Sequence, residues 1–248
     1  MYKLKLIHMK NFLIPTTLEL DTINAVKSAI NQAKNTNCEI ILMMVSDTPD
    51  AFSSVQFLRE MRTALTPSQE EVLETCRYII EHTANCKLKV HNQYGISASI
   101  LKGIIEAFAV KLVILTPSYK QETKKVHQYL VKLAGNQKCP ILHLGTEVNK
   151  EDFNKALYIE NGSANMHVKD VQQFLSANFS FEIVSQTGNF DNDYEQFAPY
   201  LSEAISKYDI DLLVETRKSE KIKFKKVKKH SINEKSGLPV LSLYEEIA

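Results

Sequence analysis

Through the first half of the chain, apolar runs rich in β-branched residues alternate with stretches in which apolar residues recur every three to four positions. That alternation predicts strand–helix units around a parallel sheet. Lys10 to Thr16 (KNFLIPT) reads as a strand ended by Pro15, and Thr22 to Ala33 as a helix with Ile23, Val26, Ile30 and Ala33 on its inward face. Cys38 to Val45 is a second strand. After a long connection, Thr66-Pro67-Ser68-Gln69 opens a helix: threonine cap, proline at the first position, glutamine at the third. Val72, Cys76 and Ile79 form its expected stripe.

Lys87 to Gln93 reads as a third strand, broken at Gly95, and Ser97 can cap a helix directing Ile100, Leu101, Ile104, Ile105 and Phe108 inward. Lys111 to Thr116 is a fourth strand. Val126, Tyr129, Leu130 and Leu133 mark a helix closed by Gly135, and Pro140 to Leu144 a short fifth strand. Within the connection Ser46 to Leu65, residues Val55, Leu58, Met61 and Leu65 make a partial helical stripe, suited to a lid, a partner-binding helix or simple packing on its own domain.

The second half repeats pieces of the first. KLVILT at Lys111 to Thr116 is echoed by DLLVET at Asp211 to Thr216, and KCPILHL at Lys138 to Leu144 by GLPVLSL at Gly237 to Leu243. Upstream, Lys155 to Glu160 reads as a strand, Val168 to Asn178 as a helix, Phe179 to Gln186 as a strand and Tyr194 to Tyr208 as a helix. The expected organisation is therefore a domain at 1–146 and a shortened copy at 151–248, lacking about one strand–helix unit and leaning on the first for burial.

Composition narrows the function classes. A chain of 248 residues with 44% apolar content can build an ordinary globular core. Its longest apolar run, Ile40 to Val45, falls far short of the roughly 20 residues that span a bilayer, and no signal-peptide pattern opens the chain, so a cytoplasmic protein is expected. Cys38, Cys76, Cys86 and Cys139 form no C-x-x-C pair and read as free thiols, and the seven histidines are dispersed without metal-ligand spacing. Neither a nucleophile elbow, a Walker loop nor a G-x-G-x-x-G turn occurs. Ser97 and Ser99 near His91 could form a hydroxyl–base pair, but caps are the usual role of such serines. His127 and His143 lie in amphipathic contexts, and no catalytic residue is expected.

The order KNFLIPT, helix, CEIILMMV, long connection, helix, KLKVHNQYG, helix, KLVILTPS, helix, KCPILHL resembles the universal stress protein family, well over Lys10 to Leu144 and more weakly over Lys155 to Leu243. The resemblance implies an α/β fold: a Rossmann-like parallel five-stranded sheet flanked by helices, then a smaller second copy, with frequent dimerisation. It also implies two branches, one binding ATP and one not. In the binding branch the first strand ends Pro-Thr-Asp, and the fourth runs into a glycine loop, G-x-x-G with a later G-S or G-T, whose amides cradle phosphates.

Here Pro15 and Thr16 match, but Thr17 stands at the aspartate position. The fourth strand continues Thr116-Pro117-Ser118-Tyr119-Lys120-Gln121-Glu122-Thr123, with no glycine before Gly135, and Pro117 removes an amide donor. The second copy has Thr216-Arg217-Lys218-Ser219-Glu220-Lys221, again without glycine, and Glu160-Asn161-Gly162 in place of Pro-Thr-Asp. The leading expectation is a non-catalytic regulator that does not hold ATP strongly, needs no cofactor, and acts through a protein partner or itself, as a homodimer or an intramolecular pseudo-dimer. The alternative is an ATP- or AMP-binding protein with a modified pocket of Pro15, Thr16, Thr17, Val45, Gly95, Thr116, Ser118 and Lys120, with weak hydrolysis still open.

A third reading concerns Arg217 to Lys235, where nine basic and two acidic residues follow an acidic stretch while the whole chain carries only +1. Lys221, Lys225, Lys226, Lys228 and Lys229 could meet an anionic partner or nucleic acid, with Phe224 stacking. A solvated charged face is the commoner form of such a run.

Overall fold

Strands whose residues are buried without alternation, such as Phe12, Leu13 and Ile14 or Ile40 to Met43, are covered on both faces, as parallel sheets require. The computed structural model describes residues 10–34, 36–48, 55, 65–146, 153–160, 168–179, 181–188, 194–219 and 236–245. The backbone divides into two compact units, Met1–Leu133 and Ala134–Ala248.

The first unit holds β1 (Asn11–Pro15), α1 (Asp21–Ala33), β2 (Cys38–Ser46), α2 (Pro67–Glu81), β3 (Cys86–Tyr94), α3 (Ala98–Ala107), β4 (Val110–Leu115) and α4 (Pro117–Gln121). It also holds most of α5 (Lys125–Gly135), whose last residues fall in the second unit. The strands are parallel in the order β3-β2-β1-β4. The chain winds outward from β1 to β3 and then crosses to the other side of β1, so the switch point lies between β1 and β4. Ligands of open α/β sheets bind outside the strand ends at such a point.

The caps predicted from sequence form. Thr66 and Gln69 make a reciprocal capping box at α2, and the Ser97 hydroxyl accepts from Ile100 N–H at α3. The buried faces differ in detail. On α1 the residues turned inward are Thr22, Ala25, Val26, Ser28, Ala29, Gln32 and Ala33, while Ile23 and Ile30 flank them, so the close contact is made by small side chains. On α2, Ile80 and Leu73 join Val72 and Cys76 in place of Ile79, and on α3 Ile100 is 39% exposed. Four helix-end turns adopt the left-handed region without glycine, at Lys34, Asn85, Ala109 and Asp209, so these stops carry no sequence punctuation. In the Ser46 to Leu65 connection, Leu58 and Met61 lie outside the described residues.

The second unit contains β5 (Ile141–His143), β6 (Lys155–Glu160), α6 (Val168–Asn178), β7 (Glu182–Gly188), α7 (Tyr194–Tyr208), β8 (Leu212–Arg217) and β9 (Val240–Tyr244), with strand order β5-β9-β8-β6-β7. Leu157, Ile159, Leu201, Ile210, Leu213, Leu238 and Val240 form its core. One strand departs from the expected five-stranded parallel sheet of the first half: β5 pairs antiparallel with β9, Ile141 to His143 opposite Ser242 to Val240. A β9 edge this apolar needs covering. Gly145 permits the pairing to continue, because a Cβ there would stand 2.0 Å from the Gly237 carbonyl oxygen, which accepts from Thr146 N–H at 3.2 Å.

Candidate functional site: the carboxyl edge of the strands

Parallel pairing brings the carboxyl ends of β1 to β4 to one edge. Thr16 N–H donates to Met43 O, and Gly95 N–H to Ser46 O at 2.8 Å, which aligns Pro15, Thr16, Val45 and Gly95 with Thr116 at the end of β4. Gly95 has φ +64, and a Cβ there would meet Thr48 Oγ1 at 2.7 Å. The turn after β1 is tighter. Thr16, 2% exposed, shares a 2.7 Å hydrogen bond with the Thr22 hydroxyl and accepts from Leu18 N–H at 2.7 Å, holding Leu18 at φ 61 with its side chain buried. A leucine in that region is strained, and strain of this kind persists only where surrounding bonds fix it. Thr17, at the position where the resemblance expects aspartate, accepts from Gln69 Nε2 through its carbonyl at 2.9 Å. Its hydroxyl is buried without a partner among the described residues.

At β4 the geometry answers whether a phosphate cradle survives. Thr116 is the cap of α4, its hydroxyl accepting from Tyr119 N–H at 3.3 Å and lying 3.1 Å from Ser118 Oγ. Ser118 donates its N–H to Asp21 Oδ2 at 2.9 Å and its hydroxyl to Asp21 Oδ1 at 2.6 Å. An internal carboxylate thus takes both donors that an anion would need. α4 spans only 5 residues, with Lys120 in its last turn rather than at its amino end, so little helix dipole is aimed at the site. Asp21 was not among the residues expected from sequence. The expected helix begins at Thr22, one residue later, and nothing in the spacing links Asp21 to a serine 97 residues away.

The second unit has a carboxylate at the end of β8 too. The Thr216 hydroxyl donates to Glu245 Oε1 at 2.6 Å, and Lys218 Nζ lies 3.5 Å from Glu245 Oε2, with Glu245 only 2% exposed. Tyr158 is fully buried beside them, its hydroxyl without a hydrogen-bond partner among the described residues; burial pushes that hydroxyl above the ordinary range, the nearby Thr216 side chain opposes this, and Glu160 and Glu245 add to it.

Arg217, counted from sequence as the start of the basic run, is instead structural. Its guanidinium donates to Gly135 O at 3.0 Å, Gln137 O at 2.9 Å, Cys139 O at 2.6 Å and Ser242 O. It caps the end of α5 and ties it to β9, a use of the planar fork that lysine cannot copy. Burial lowers its pKa to about 10, which leaves it cationic near neutrality. Lys221, Lys225, Lys226, Lys228, Lys229 and Phe224 lie outside the described residues.

The hydroxyl–base pair imagined near His91 is not assembled: Ser97 and Ser99 bond each other at 3.0 Å, and His91 packs edge-on against Phe108 with Nε2 buried and unpartnered among the described residues. His143 stands on β5. His127 is buried with Nδ1 3.1 Å from the Tyr119 hydroxyl. Burial drives His127 below its ordinary value, helped by Lys124 and opposed by Glu122 and Asp47, while burial chiefly raises Tyr119.

The sequence matches no protein-family model and no curated protein. Among solved structures, a universal stress protein from Archaeoglobus fulgidus DSM 4304 superposes with a TM-score of 0.54 at 11% identity, over 94% of this chain and 96% of that one. The fold is universal-stress-protein-like. Two further structures align with lower TM-scores. One is a universal stress protein in complex with cAMP (0.36, 13% identity, 56% of this chain and 98% of that one). The other is a functionally unknown protein from Pseudomonas aeruginosa PAO1 (0.46, 12% identity, 96% and 93%). In this universal-stress-protein-like fold, each unit has an internal carboxylate holding a hydroxyl at the end of a strand. No helix among the described residues is long and apolar enough to cross a membrane.

Proposed function

We propose that this chain is a non-catalytic regulatory or interaction protein on a universal-stress-protein-like fold, acting in the cytoplasm through a protein partner or a second copy of itself, and that it does not bind ATP strongly. The observation that supports this reading is the Asp21 carboxylate on the N–H and hydroxyl of Ser118. A phosphate approaching the end of β4 would have to displace that carboxylate from both donors and then face its charge at hydrogen-bond range. Two charge-assisted contacts at roughly 1.5–3 kcal/mol each separate micromolar from millimolar binding.

We also read the two halves as a tandem repeat with a degenerate second copy. The echoed segments Lys111 to Thr116 and Asp211 to Thr216 overlie β4, which lies beside β1, and β8, which lies beside β6, and the order β2-β1-β4 corresponds to β7-β6-β8 once β3 is left out.

Isothermal titration with ATP, ADP and AMP tests the reading. No binding tighter than about 10 μM is expected, and a tighter constant for any of the three would overturn it in favour of a nucleotide-binding protein with a modified pocket.

A further inference from the structure

Of the four cysteines, two stand directly opposite each other. Cys38 opens β2, Cys86 opens β3, and the parallel register pairs them residue to residue. Adjacent strands run about 4.8 Å apart, inside the Cα separation that a disulfide bridges. The side chains converge as well: Cys38 Sγ–H donates to Cys86 Sγ across 2.8 Å. A disulfide bond is ~2.04 Å long, so closure requires a movement of roughly 0.8 Å, within the play of two χ1 rotations.

Access is unequal. Cys38 is buried, whereas Cys86 is partly exposed on β3, which ends the strand order of its unit. Burial, aided by the neighbouring sulfur, raises Cys38 well above the usual thiol range, so it holds its proton and serves as the hydrogen-bond donor. Cys76 lies on α2 and Cys139 just ahead of β5, both buried.

We propose that Cys38 and Cys86 form a reversible intramolecular disulfide in response to a peroxide. The Cys86 thiolate attacks one peroxide oxygen, the O–O bond breaks, and Cys86 becomes a sulfenic acid as the other oxygen leaves as water. Cys38 Sγ then attacks Cys86 Sγ, the S–O bond breaks, and the departing hydroxide takes the Cys38 proton. Two thiols are oxidised by two electrons in all, and hydrogen peroxide is reduced to two waters. The bond locks the outermost strand of the first unit to β2 and closes a loop between positions 48 apart. That loop carries α2, whose Gln69 holds the Thr17 carbonyl at the opposite, carboxyl edge, so thiol state adjusts the rigidity of one wall of the strand-end site.

The test uses the full chain treated with hydrogen peroxide, then alkylated, digested without reduction and mapped by mass spectrometry. A Cys38–Cys86 linked peptide, loss of two hydrogens from the intact mass, and reversal by dithiothreitol are expected. Closure of a loop this size should raise Tm by about 5 °C, and Cys86→Ser should abolish both linkage and rise while leaving the reduced Tm near wild type. Cys86 recovered as a sulfinic acid or an intermolecular disulfide with Cys38 still alkylated would overturn the proposal. So would both thiols remaining alkylated in native protein while linking only after unfolding.

Discussion

The ends of β4 and β8 solve one problem in two ways. Each follows an apolar strand with a threonine, each lacks glycine, and at each a carboxylate of the chain's own holds a hydroxyl at 2.6 Å. At β4 the carboxylate comes from the next helix along the sheet, α1, in a partly buried setting. At β8 it comes from the residue just past β9, nearly fully buried and beside Lys218, and the threonine it holds adjoins an arginine that serves four carbonyls. The first is a light clamp at the strand end. The second is part of the core, where polar bonds hold a buried strand end in place.

That contrast predicts a ranking. Arg217→Met should cost the most, about 3 kcal/mol, since it leaves buried carbonyls unpaired. Arg217→Lys should recover less than half of that, because a single ammonium cannot reach several carbonyls. Chemical denaturation with hydrogen-exchange protection of β8 and β9 would read both, and an Arg217→Met variant as stable as wild type would break the contrast. Next, Glu245→Ala should cost about 2 kcal/mol by stranding the buried Thr216 hydroxyl, most of it surviving in high salt because the partly exposed Lys218 contributes little.

Asp21→Ala should cost only about 1 kcal/mol, and it should open the β4 end: measurable ATP binding in this variant, absent in wild type by titration calorimetry, would sharpen the reading of Asp21 as an internal stand-in for the anion. Equal absence of binding in both would show that loss of the glycine loop alone suffices.

The smallest effect concerns pH. His127 has its folded pKa lowered from an ordinary 6.5, mainly by burial. The unfolded chain therefore binds the proton more readily, so this contribution to stability is complete above about pH 6.5 and is lost as pH falls through the lower folded value. His127→Gln, which can keep a hydrogen bond to Tyr119, should flatten the fall in stability between about pH 7 and pH 5 by less than about 1 kcal/mol. An unchanged slope would place the acid sensitivity elsewhere.

The strands, most helix starts and the missing glycines were legible because each depends on residues within a few positions of one another. KNFLIPT and CEIILMMV carry the apolar runs of strands buried on both faces, and Thr66 with Gln69 carries its own cap. Helix faces were less legible: α1 buries Ala25, Ser28 and Ala29 where the larger Ile23 and Ile30 had been expected, because distance to the packed neighbours, not hydrophobicity alone, selects what fits.

By itself the sequence determined an α/β chain of parallel strand–helix units and excluded a glycine phosphate loop at either strand end. Only the tertiary structure decided what fills those ends. Asp21 meets Ser118 across 97 residues, Thr216 meets Glu245 across 29, and β5 joins β9 antiparallel at a glycine approach. Such pairings follow from which elements the sheet order sets side by side, and no local propensity encodes a partner at that separation.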